Sequence, residues 1–266
     1  METDSGPLRA GYLAVATGAR RALDGTALLR RWDARAAAAP RSRTAHLRTL
    51  LAVHNAEDLV ALDLPWWTYE AVDAVDDFLR TREAPRAFEY GSGASTVWLA
   101  RRCDAVDAVE HQAGWAERVR QLLAEAPGLR CTPVLHVPEI PAVPSGRTAR
   151  TPSRAPSGTG LDFDGYVRTV DAVEGTVDLL CVDGRAREAA LLHALDRVAD
   201  DGLVLLDDAQ RERYHAPVAS AVERGWYARR TRGATPCQPL PRETVLLSRD
   251  RDVLEVLGRR PAPLTG

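Results

Sequence analysis

An acid and two glycines form a candidate ligand loop about a third of the way along the chain. The stretch Phe88–Ala100 reads FEYGSGASTVWLA, so Glu89 stands two residues before Gly91, and Ser92 separates Gly91 from Gly93. Glycines at this spacing let a backbone approach a ligand closely. A carboxylate beside such a loop disfavours a pyrophosphate and attracts a positively charged ligand. The stretch therefore favours a small molecule that carries a cationic group.

The same loop departs from the dinucleotide-binding fingerprint G-x-G-x-x-G/A. Thr96 occupies the third position, where a small residue normally permits close packing of helix against strand. The chain contains 35 arginines and no lysine, so it also lacks the Y-x-x-x-K pair of many nicotinamide-dependent oxidoreductases. An NAD-dependent oxidoreductase is therefore the less favoured alternative.

The segments around the loop repeat an order of strand, loop and helix. Apolar runs predict strands at 87–90, 105–110, 131–137, 177–184 and 203–208. Amphipathic runs predict helices at 94–102, 112–125, 186–199 and 216–224. This alternation is typical of a mostly parallel sheet that is covered on both faces. Two final strands, GWYARRTRG and RETVLLSRD, are expected to form an antiparallel hairpin joined by a Pro-rich turn, which makes the fold class α/β and doubly wound.

Composition divides the chain into regions. Residues 1–64 are predicted to be a helical extension, with one helix ending near residue 40 and a second running from His46 to about Leu59. Residues 65–256 hold the α/β domain. Within it, residues 137–165 are rich in Pro, Ser, Gly and Arg without periodicity, which is typical of a flexible insertion. Residues 257–266 are expected to form a tail.

Bulk composition excludes several classes of function. A net charge of −2 provides no basic field for binding nucleic acid. No apolar run approaches the length of a membrane span, and the N-terminus lacks an export pattern, so we expect a cytoplasmic protein without a membrane partner. The 4 cysteines form no CxxC pair and indicate no zinc site.

The acid and G-x-G after strand one, followed by an acid after strand two, resemble class I S-adenosylmethionine-dependent methyltransferases over roughly Trp66 to Asp250. The resemblance implies a seven-stranded sheet and an S-adenosylmethionine site. It implies that Glu110 holds the ribose hydroxyls, which one carboxylate can accept together, and that His111 lies near the adenine. The residues implied to bind S-adenosylmethionine are Glu89, Gly91, Ser92, Gly93, Glu110, His111 and Asp183.

Acids after the later strands are the candidates for catalysis. Methyl transfer from a sulfonium is an in-line displacement, so the enzyme mainly aligns the reacting atoms. A base is needed when the nucleophile arrives as a hydroxyl. Asp183 and Asp207 follow the fourth and fifth strands, and His215 follows shortly after with the most suitable intrinsic pKa. We therefore predict catalytic roles for Asp183, Asp207 and His215.

A magnesium site is a weaker alternative. Asp183, Asp207 and Asp208 resemble the aspartates that hold the cation in catechol-type O-methyltransferases. Those enzymes use a lysine after the first aspartate, where this chain reads Asp183-Gly184-Arg185, and Asp208 replaces their asparagine. No resident metal is therefore expected.

The predicted function is methyl transfer to a small molecule, at a hydroxyl oxygen. Trp66, Trp67, Tyr69 and Tyr166 are natural parts of an acceptor pocket, whereas Trp115 shares the apolar face of its helix with Val119, Leu122 and Leu123. The alternative is a non-catalytic, methyltransferase-like scaffold protein. A homodimer formed through the N-terminal helices is a further possibility.

Overall fold

The computed structural model describes residues 7–52 and 56–256, and one seven-stranded sheet organises them. The strands are β1 (Arg86–Tyr90), β2 (Ala105–Val109), β3 (Val134–His136), β4 (Val177–Val182), β5 (Val198–Leu206), β6 (Tyr227–Thr235) and β7 (Gln238–Ser248). They lie in the order β3-β2-β1-β4-β5-β7-β6. Strands β1 to β5 pair in parallel, and β7 is antiparallel to both of its neighbours. The predicted fold class is confirmed.

Helices cover the sheet and extend it at the N-terminus. They are α1 (Pro7–Leu23), α2 (Ala27–Ala38), α3 (Arg43–Thr49), α4 (Ala56–Leu62), α5 (Tyr69–Arg80), α6 (Ala94–Ala100), α7 (Ala113–Glu125), α8 (Asp164–Arg168), α9 (Arg187–Ala194), α10 (His215–Glu223) and α11 (Arg251–Val256). No helix among the described residues is long and apolar enough to cross a membrane.

The central strand β4 shows why its sequence is continuously apolar. Leu180 and Val182 pack into one buried cluster together with α8, α9 and α10, whereas Leu179 and Cys181 pack into another with α5 and α6. Successive side chains of a strand point to opposite faces, so a strand covered on both sides needs apolar residues at every position. The two clusters hold the strand in place, and with it the strand end from which the functional loop begins.

The strand ends lie in register along one edge of the sheet. Gly91 N donates to Val109 O at 2.9 Å, Asp183 N donates to Tyr90 O at 3.0 Å, and Asp207 N donates to Val182 O at 3.3 Å. Each loop thus begins with one more hydrogen bond of the parallel ladder. The residues that follow β1, β4 and β5 are therefore neighbours in space although they are far apart in the chain.

Helix α5 begins after a capping threonine. The Thr68 side chain accepts a hydrogen bond from Ala71 N at 3.3 Å, which caps the first turn. The apolar face of α5 packs with Trp67 and Trp98, whose rings meet edge to face at a centroid distance of 5.7 Å. Trp67 is fully buried in this cluster, so it supports the sheet and does not line a pocket.

The N-terminal extension packs onto the α/β domain. Arg101 binds Asp63 at 2.9 Å, and Arg41 and Asp73 form a further ion pair between the two regions. The helix predicted from His46 to about Leu59 is instead two helices, because α3 ends at Thr49 and α4 begins at Ala56. The boundary proposed after residue 64 stays a prediction.

The insertion at 137–165 is irregular, as its composition predicts, but internal hydrogen bonds organise it. The Asp162 carboxylate accepts from Arg150 N at 3.0 Å and from Thr151 N at 3.1 Å, and Phe163 N donates to Thr151 O at 2.9 Å. Phe163 is fully buried against Tyr166, with ring centroids 5.8 Å apart. These contacts anchor the insertion beside β1, and its flexibility stays a prediction.

The C-terminal hairpin turns more tightly than its sequence predicts. Thr235 pairs with Gln238, so two residues form the turn and the prolines that follow lie within β7. Cys237 is buried, and its N–H donates to Thr49 Oγ1 at 3.1 Å. This contact ties the hairpin tip to α3. The predicted tail at 257–266 lies outside the described residues.

Candidate active site

A cavity of about 510 Å³ opens at the carboxyl edge of the sheet. Ligands of open parallel sheets bind at this edge, and the volume is within the range of small-molecule sites. Its walls come from the loops after β2, β1, β4 and β5, from β7, and from α4 of the N-terminal extension. The polar residues that line it include Glu89, Ser92, Glu110, His111, Gln112, Asp183, Arg185, Arg187, Asp207, Asp208, Arg211, Gln238 and Arg242.

The loops after β1 and β4 meet glycine against glycine. Gly91 has a φ of 95°, which disfavours any residue with a side chain. A Cβ at this position would lie 3.0 Å from Gly184 Cα and 3.1 Å from Gly184 N. Gly184 itself has Gly91 N and the Tyr166 hydroxyl on its open side. Gly91 is therefore required by the approach of a second loop as well as by any ligand.

Glu89 is held below the glycine loop by Thr96. The Thr96 hydroxyl donates to Glu89 Oε2 at 2.6 Å and accepts from Gly93 N at 2.9 Å. Thr96 thus joins the acid to the loop, which explains why the third fingerprint position is not a small residue. Burial raises the pKa of Glu89 to about 8; hydrogen bonds from Ser95 and Thr96 oppose the rise, and the charges of Asp183 and Glu110 add to it.

Glu110 stands at the end of β2 with its carboxylate fixed from both sides. Gln112 N donates to Oε1 at 2.9 Å, and Ser92 Oγ donates to Oε2 at 3.3 Å. His111 Nδ1 lies 2.7 Å from Glu110 Oε1. The other ring nitrogen, Nε2, is buried and has no hydrogen-bond partner among the described residues. The Glu110 carboxylate is thus positioned by the protein, and the buried Nε2 of His111 lacks a partner among the described residues, as expected of a ligand site.

Trp115 lines the cavity instead of packing in the core. Its side chain is 38% exposed, and its indole Nε1 donates to Ser92 O at 2.8 Å. Trp115 shares a helical face with the buried Val119 and Leu122, but it lies outside the core because the first turn of α7 stands at the cavity. Its position five residues after Glu110 is the signal that could have identified it.

Arg187 is the central cation of the site, and sequence reasoning missed it. Its guanidinium lies 2.6 Å from Asp183 Oδ1 and donates to Asp183 O at 2.8 Å, Gly184 O at 3.1 Å and Asp207 O at 2.7 Å. Although burial opposes the charged form, Asp183 and neighbouring acids keep the pKa of Arg187 above its usual value. Arg187 thus connects the loops after β4 and β5, and nothing in the local sequence separates it from the other arginines.

Asp183 and Asp207 lie within the same buried group of charges. Burial raises the pKa of Asp183, and the positive charge of Arg187 opposes the rise. The indole N–H of Trp67 also opposes it to a lesser degree, although it is not positioned to form a hydrogen bond. Burial also raises the pKa of Asp207 well above its usual value, and the charge of Asp183 adds to the effect. Thr244 Oγ1 donates to Asp207 Oδ1 at 2.7 Å and so fixes the carboxyl.

Asp208 differs from its neighbour because arginines surround it. It adopts a left-handed backbone with a φ of 57°, an uncommon conformation for a residue other than glycine. Its carboxylate lies 2.7 Å from Arg211 Nη2 and 3.4 Å from Arg242 Nη1. Burial would raise its pKa, but Arg187, Arg211 and Arg242 hold the pKa of Asp208 below the usual value.

The aspartates do not fit the magnesium alternative. Arg187 stands between two of them, 2.6 Å from Asp183 Oδ1 and 3.7 Å from Asp208 Oδ2. Thr244 holds one oxygen of Asp207. Within residues 7–52 and 56–256, no three His, Cys, Asp or Glu side chains are grouped so that they could hold a metal ion. The guanidinium supplies the positive charge that a cation would bring to this position.

Other expected site residues lie elsewhere. His215 is exposed on the first turn of α10 and does not line the cavity, so its expected role as a base is not supported. Tyr166 is buried beneath Gly184, and Tyr69 is buried under the N-terminal extension near His46. Trp66 does line the cavity, as expected.

Comparison with known proteins finds resemblance in structure alone. No protein-family model matches the chain, and no curated protein matches it in sequence. A methyltransferase-like protein from Silicibacter pomeroyi is 22% identical, with coverage of 71% of this chain and 88% of that chain and a TM-score of 0.43. A putative O-methyltransferase from Klebsiella pneumoniae is 17% identical, with coverage of 91% and 98% and a TM-score of 0.45. A putative methyltransferase from Streptococcus mutans, in complex with S-adenosylhomocysteine, is 13% identical, with coverage of 66% and 96% and a TM-score of 0.44.

The strand order and the loop positions of this chain define its fold independently of those similarities. Five parallel strands are followed by an antiparallel hairpin, and the acid-GxG loop and Glu110 emerge from neighbouring strands at one edge. Both features are those implied by the acid-GxG motif and the acid after strand two. The chain has a doubly wound α/β fold with a seven-stranded mixed sheet, which is the fold that its sequence resemblance to class I S-adenosylmethionine-dependent methyltransferases implies.

Proposed function

We propose that this protein transfers a methyl group from S-adenosylmethionine to a hydroxyl oxygen of a small molecule. One observation carries the proposal: Glu89 and Glu110, two buried carboxylates at the ends of adjacent parallel strands, flank the glycine loop in one cavity. A buried carboxylate without a cationic partner is costly, and no arginine among the described residues forms an ion pair with Glu89. A ligand with an ammonium group and a ribose diol would satisfy both acids.

The residues present fit this donor. Glu89, linked to the loop through Thr96, would attract the ammonium group, and the glycine loop that lines the cavity would lie along the amino-acid portion. Glu110, held in place by the N–H of Gln112, would accept hydrogen bonds from the two ribose hydroxyls. The unpartnered Nε2 of His111 would lie toward the adenine. Trp115 would cover the ring system from the opposite side.

The reaction needs alignment and a destination for one proton. When bound, S-adenosylmethionine supplies an electrophilic methyl group: the acceptor oxygen forms the new O–C bond, and the electron pair of the C–S bond returns to sulfur. The hydroxyl proton then needs an acceptor. Asp207 lines the cavity with a raised pKa, and Thr244 occupies only Oδ1, which leaves Oδ2 to take that proton. Asp183, paired with Arg187, would help to orient the donor.

We also propose a small molecule as the acceptor and the cytoplasm as the site of action. The cavity is lined by both acids and arginines, and the net charge of −2 offers no basic surface for nucleic acid. Dimerisation through the N-terminal helices stays a proposal. The alternative, a scaffold protein that binds the donor without turnover, shares the donor site and differs in the absence of transfer.

Isothermal titration with S-adenosylhomocysteine tests the donor site. We expect micromolar affinity for the native protein, and a loss of tenfold or more, about 1.4 kcal/mol, for Glu110→Gln and for Glu89→Gln. Glu117→Gln is the matched control, because Glu117 is exposed on α7 with its side chain 62% accessible. Normal binding by both site variants, with far-ultraviolet circular dichroism unchanged, would place the donor elsewhere. Donor binding without methyl transfer to any hydroxyl compound would favour the scaffold.

A further inference from the structure

The cavity has two halves of opposite character, which the order of the strands separates. The donor half lies at the ends of β2 and β1 and includes Glu89 and Glu110. The acceptor half lies at the ends of β4 and β5 and along β7. Four strand spacings of roughly 4.8 Å separate β2 from β7, so the cavity spans on the order of 20 Å. Among the described residues that line it, those from the β1 and β2 loops include no arginine.

The acceptor half carries an excess of positive charge. Four arginines line it, against three aspartates. The arginines are Arg185, Arg187, Arg211 and Arg242, and the aspartates are Asp183, Asp207 and Asp208. Positive charge exceeds negative charge by one even when all three carboxyls are ionised. A cleft with net positive charge raises the local concentration of anions.

Arg185 is the arginine whose charge the protein does not balance. No carboxylate among the described residues forms an ion pair with it, and its Nε is buried without a hydrogen-bond partner. Only its backbone N–H is used, as a donor to the Tyr166 hydroxyl at 3.3 Å. A buried donor without an acceptor costs free energy unless a ligand supplies one. Arg185 follows Gly184 directly, so its side chain starts at the edge of the cavity.

Arg211 and Arg242 are held in the same half by Asp208. The carboxylate of Asp208 contacts one nitrogen of each guanidinium, and Gln238 accepts from Arg242 Nη2 at 3.3 Å. The two side chains remain 22% and 18% exposed. A guanidinium has five N–H donors in a fixed fork, so it can hold more than one oxygen ligand at once. The left-handed backbone of Asp208 is the kind of strain that is found at functional sites.

We propose that the methyl acceptor carries a carboxylate or phosphate group, bound in the acceptor half by Arg185, Arg211 and Arg242. The proposal rests on the proposed function, since it concerns the second substrate of the same cavity. Trp66 and Leu59 line the cavity as well and provide an apolar wall for the body of such a molecule. The bound anion would leave the hydroxyl of the acceptor directed toward Asp207, between the anion and the donor.

Titration of the protein loaded with S-adenosylhomocysteine tests this inference with three probes of similar size. We expect phenyl phosphate or benzoate to bind with one site per chain, and neutral benzyl alcohol to bind at least tenfold more weakly. The affinity for the anions is expected to fall as salt is raised, because the attraction is electrostatic. Preference for one anion identifies the group as phosphate or carboxylate.

Substitution of the arginines gives the decisive control. Arg185→Gln is expected to weaken the preferred anion tenfold or more and to leave S-adenosylhomocysteine affinity unchanged, with Arg242→Gln as a second variant if the first does not fold. Arg120→Gln is the matched control, since Arg120 is exposed on α7. Equal binding of benzyl alcohol and the anions, or full anion affinity in both site variants, would overturn the proposal.

The same titrations on the ligand-free protein separate the two proposals. Loss of S-adenosylhomocysteine binding with retained anion binding would contradict the donor site alone. Donor binding without selectivity for anions would contradict the acceptor class alone.

Discussion

The two halves of the cavity are built in different ways. In the donor half, the shortest backbone and hydroxyl hydrogen bonds to the two acids are local: Thr96 reaches Glu89 across seven residues, and Gln112 reaches Glu110 across two. In the acceptor half, Thr244 reaches Asp207 across 37 residues, and Arg242 reaches Asp208 across 34. Local contacts follow from a motif and its helix cap, whereas distant ones depend on strand order. The donor half can therefore be predicted from the sequence, whereas the acceptor half can be identified only from the folded structure.

The halves also differ in how they treat buried charge. Glu89 is surrounded by hydroxyl donors and by other acids, so its ionised form awaits a cation from outside. Asp183 and Asp208 instead have Arg187 as an internal partner. An internally neutralised network is rigid and stable, whereas an unneutralised acid is poised for ligand binding. Substitution of residues in each half tests this difference.

The largest expected effect comes from removing the central cation. Arg187→Ala would leave Asp183 without its partner and three backbone carbonyls without a donor. Breaking a buried ion pair from one side costs about 3–5 kcal/mol, so the free energy of unfolding in urea should fall by about that amount. Arg120→Ala, on the exposed face of α7, is the control. A loss below about 1 kcal/mol would mean that the acceptor half does not depend on Arg187.

The next effect is a pH dependence of donor binding. The carboxyl of Glu89 has a pKa of about 8 in the ligand-free protein, and a bound cation favours its ionised form. Affinity for S-adenosylhomocysteine is therefore expected to fall about tenfold for each pH unit below 8, and binding at pH 7 should release a proton. Titration between pH 6 and 8, in buffers of different ionisation enthalpy, measures both quantities.

Glu89→Gln provides the control for that profile, since the amide does not titrate. Its affinity should be lower at pH 8 and nearly independent of pH.

The same titration affects the stability of the native protein. Because the pKa of Glu89 in the folded state lies above the unfolded value of 4.5, the stability that protonated Glu89 contributes is complete below pH 4.5 and is lost as the pH rises through about 8. A profile in the variant as steep as in the native protein would assign the titration to another group.

A smaller effect on the free energy of unfolding is expected for the two glycines of the loop, and it differs between them. Gly91→Ala combines a φ of 95° with a Cβ only 3.0 Å from Gly184 Cα, and it should destabilise the protein by about 1–3 kcal/mol. Gly93→Ala is the matched variant, because its φ of 167° is extended and its Cβ would lie 3.9 Å from Trp115. Gly93→Ala should change the free energy of unfolding by less than about 1 kcal/mol. Equal losses in urea denaturation would refute the contact between the two loops.

Much of the fold could be predicted because its signals are periodic. The apolar run Val177–Val182 fits a strand covered on both faces, and Thr68 marks the start of α5. Boundaries were less accurate where packing competes with local preference. The prolines after Cys237 indicated a long turn, yet β7 begins at Gln238, because the antiparallel pairing with β6 extends beyond them.

In the site, the position of a residue could be predicted when its contacts lie within its own loop. Glu89, Gly91 and Glu110 line the cavity as predicted from their motif. His215 does not, since the rotation of α10 turns it to solvent. Trp115 is exposed although it shares a face of α7 with buried residues, because helical periodicity does not show where the underlying sheet ends.

The amino-acid sequence by itself determined the parallel sheet, the acid-GxG loop and the two acids at the ends of β1 and β2, because these depend on hydrophobic periodicity and on contacts between near neighbours. Tertiary structure alone decided that Arg187 joins two loops, that Asp208 gathers Arg211 and Arg242, and that Arg185 remains without a carboxylate. Those arrangements depend on which strand ends become neighbours. A chain with 35 arginines gives no local sign of which of them will meet.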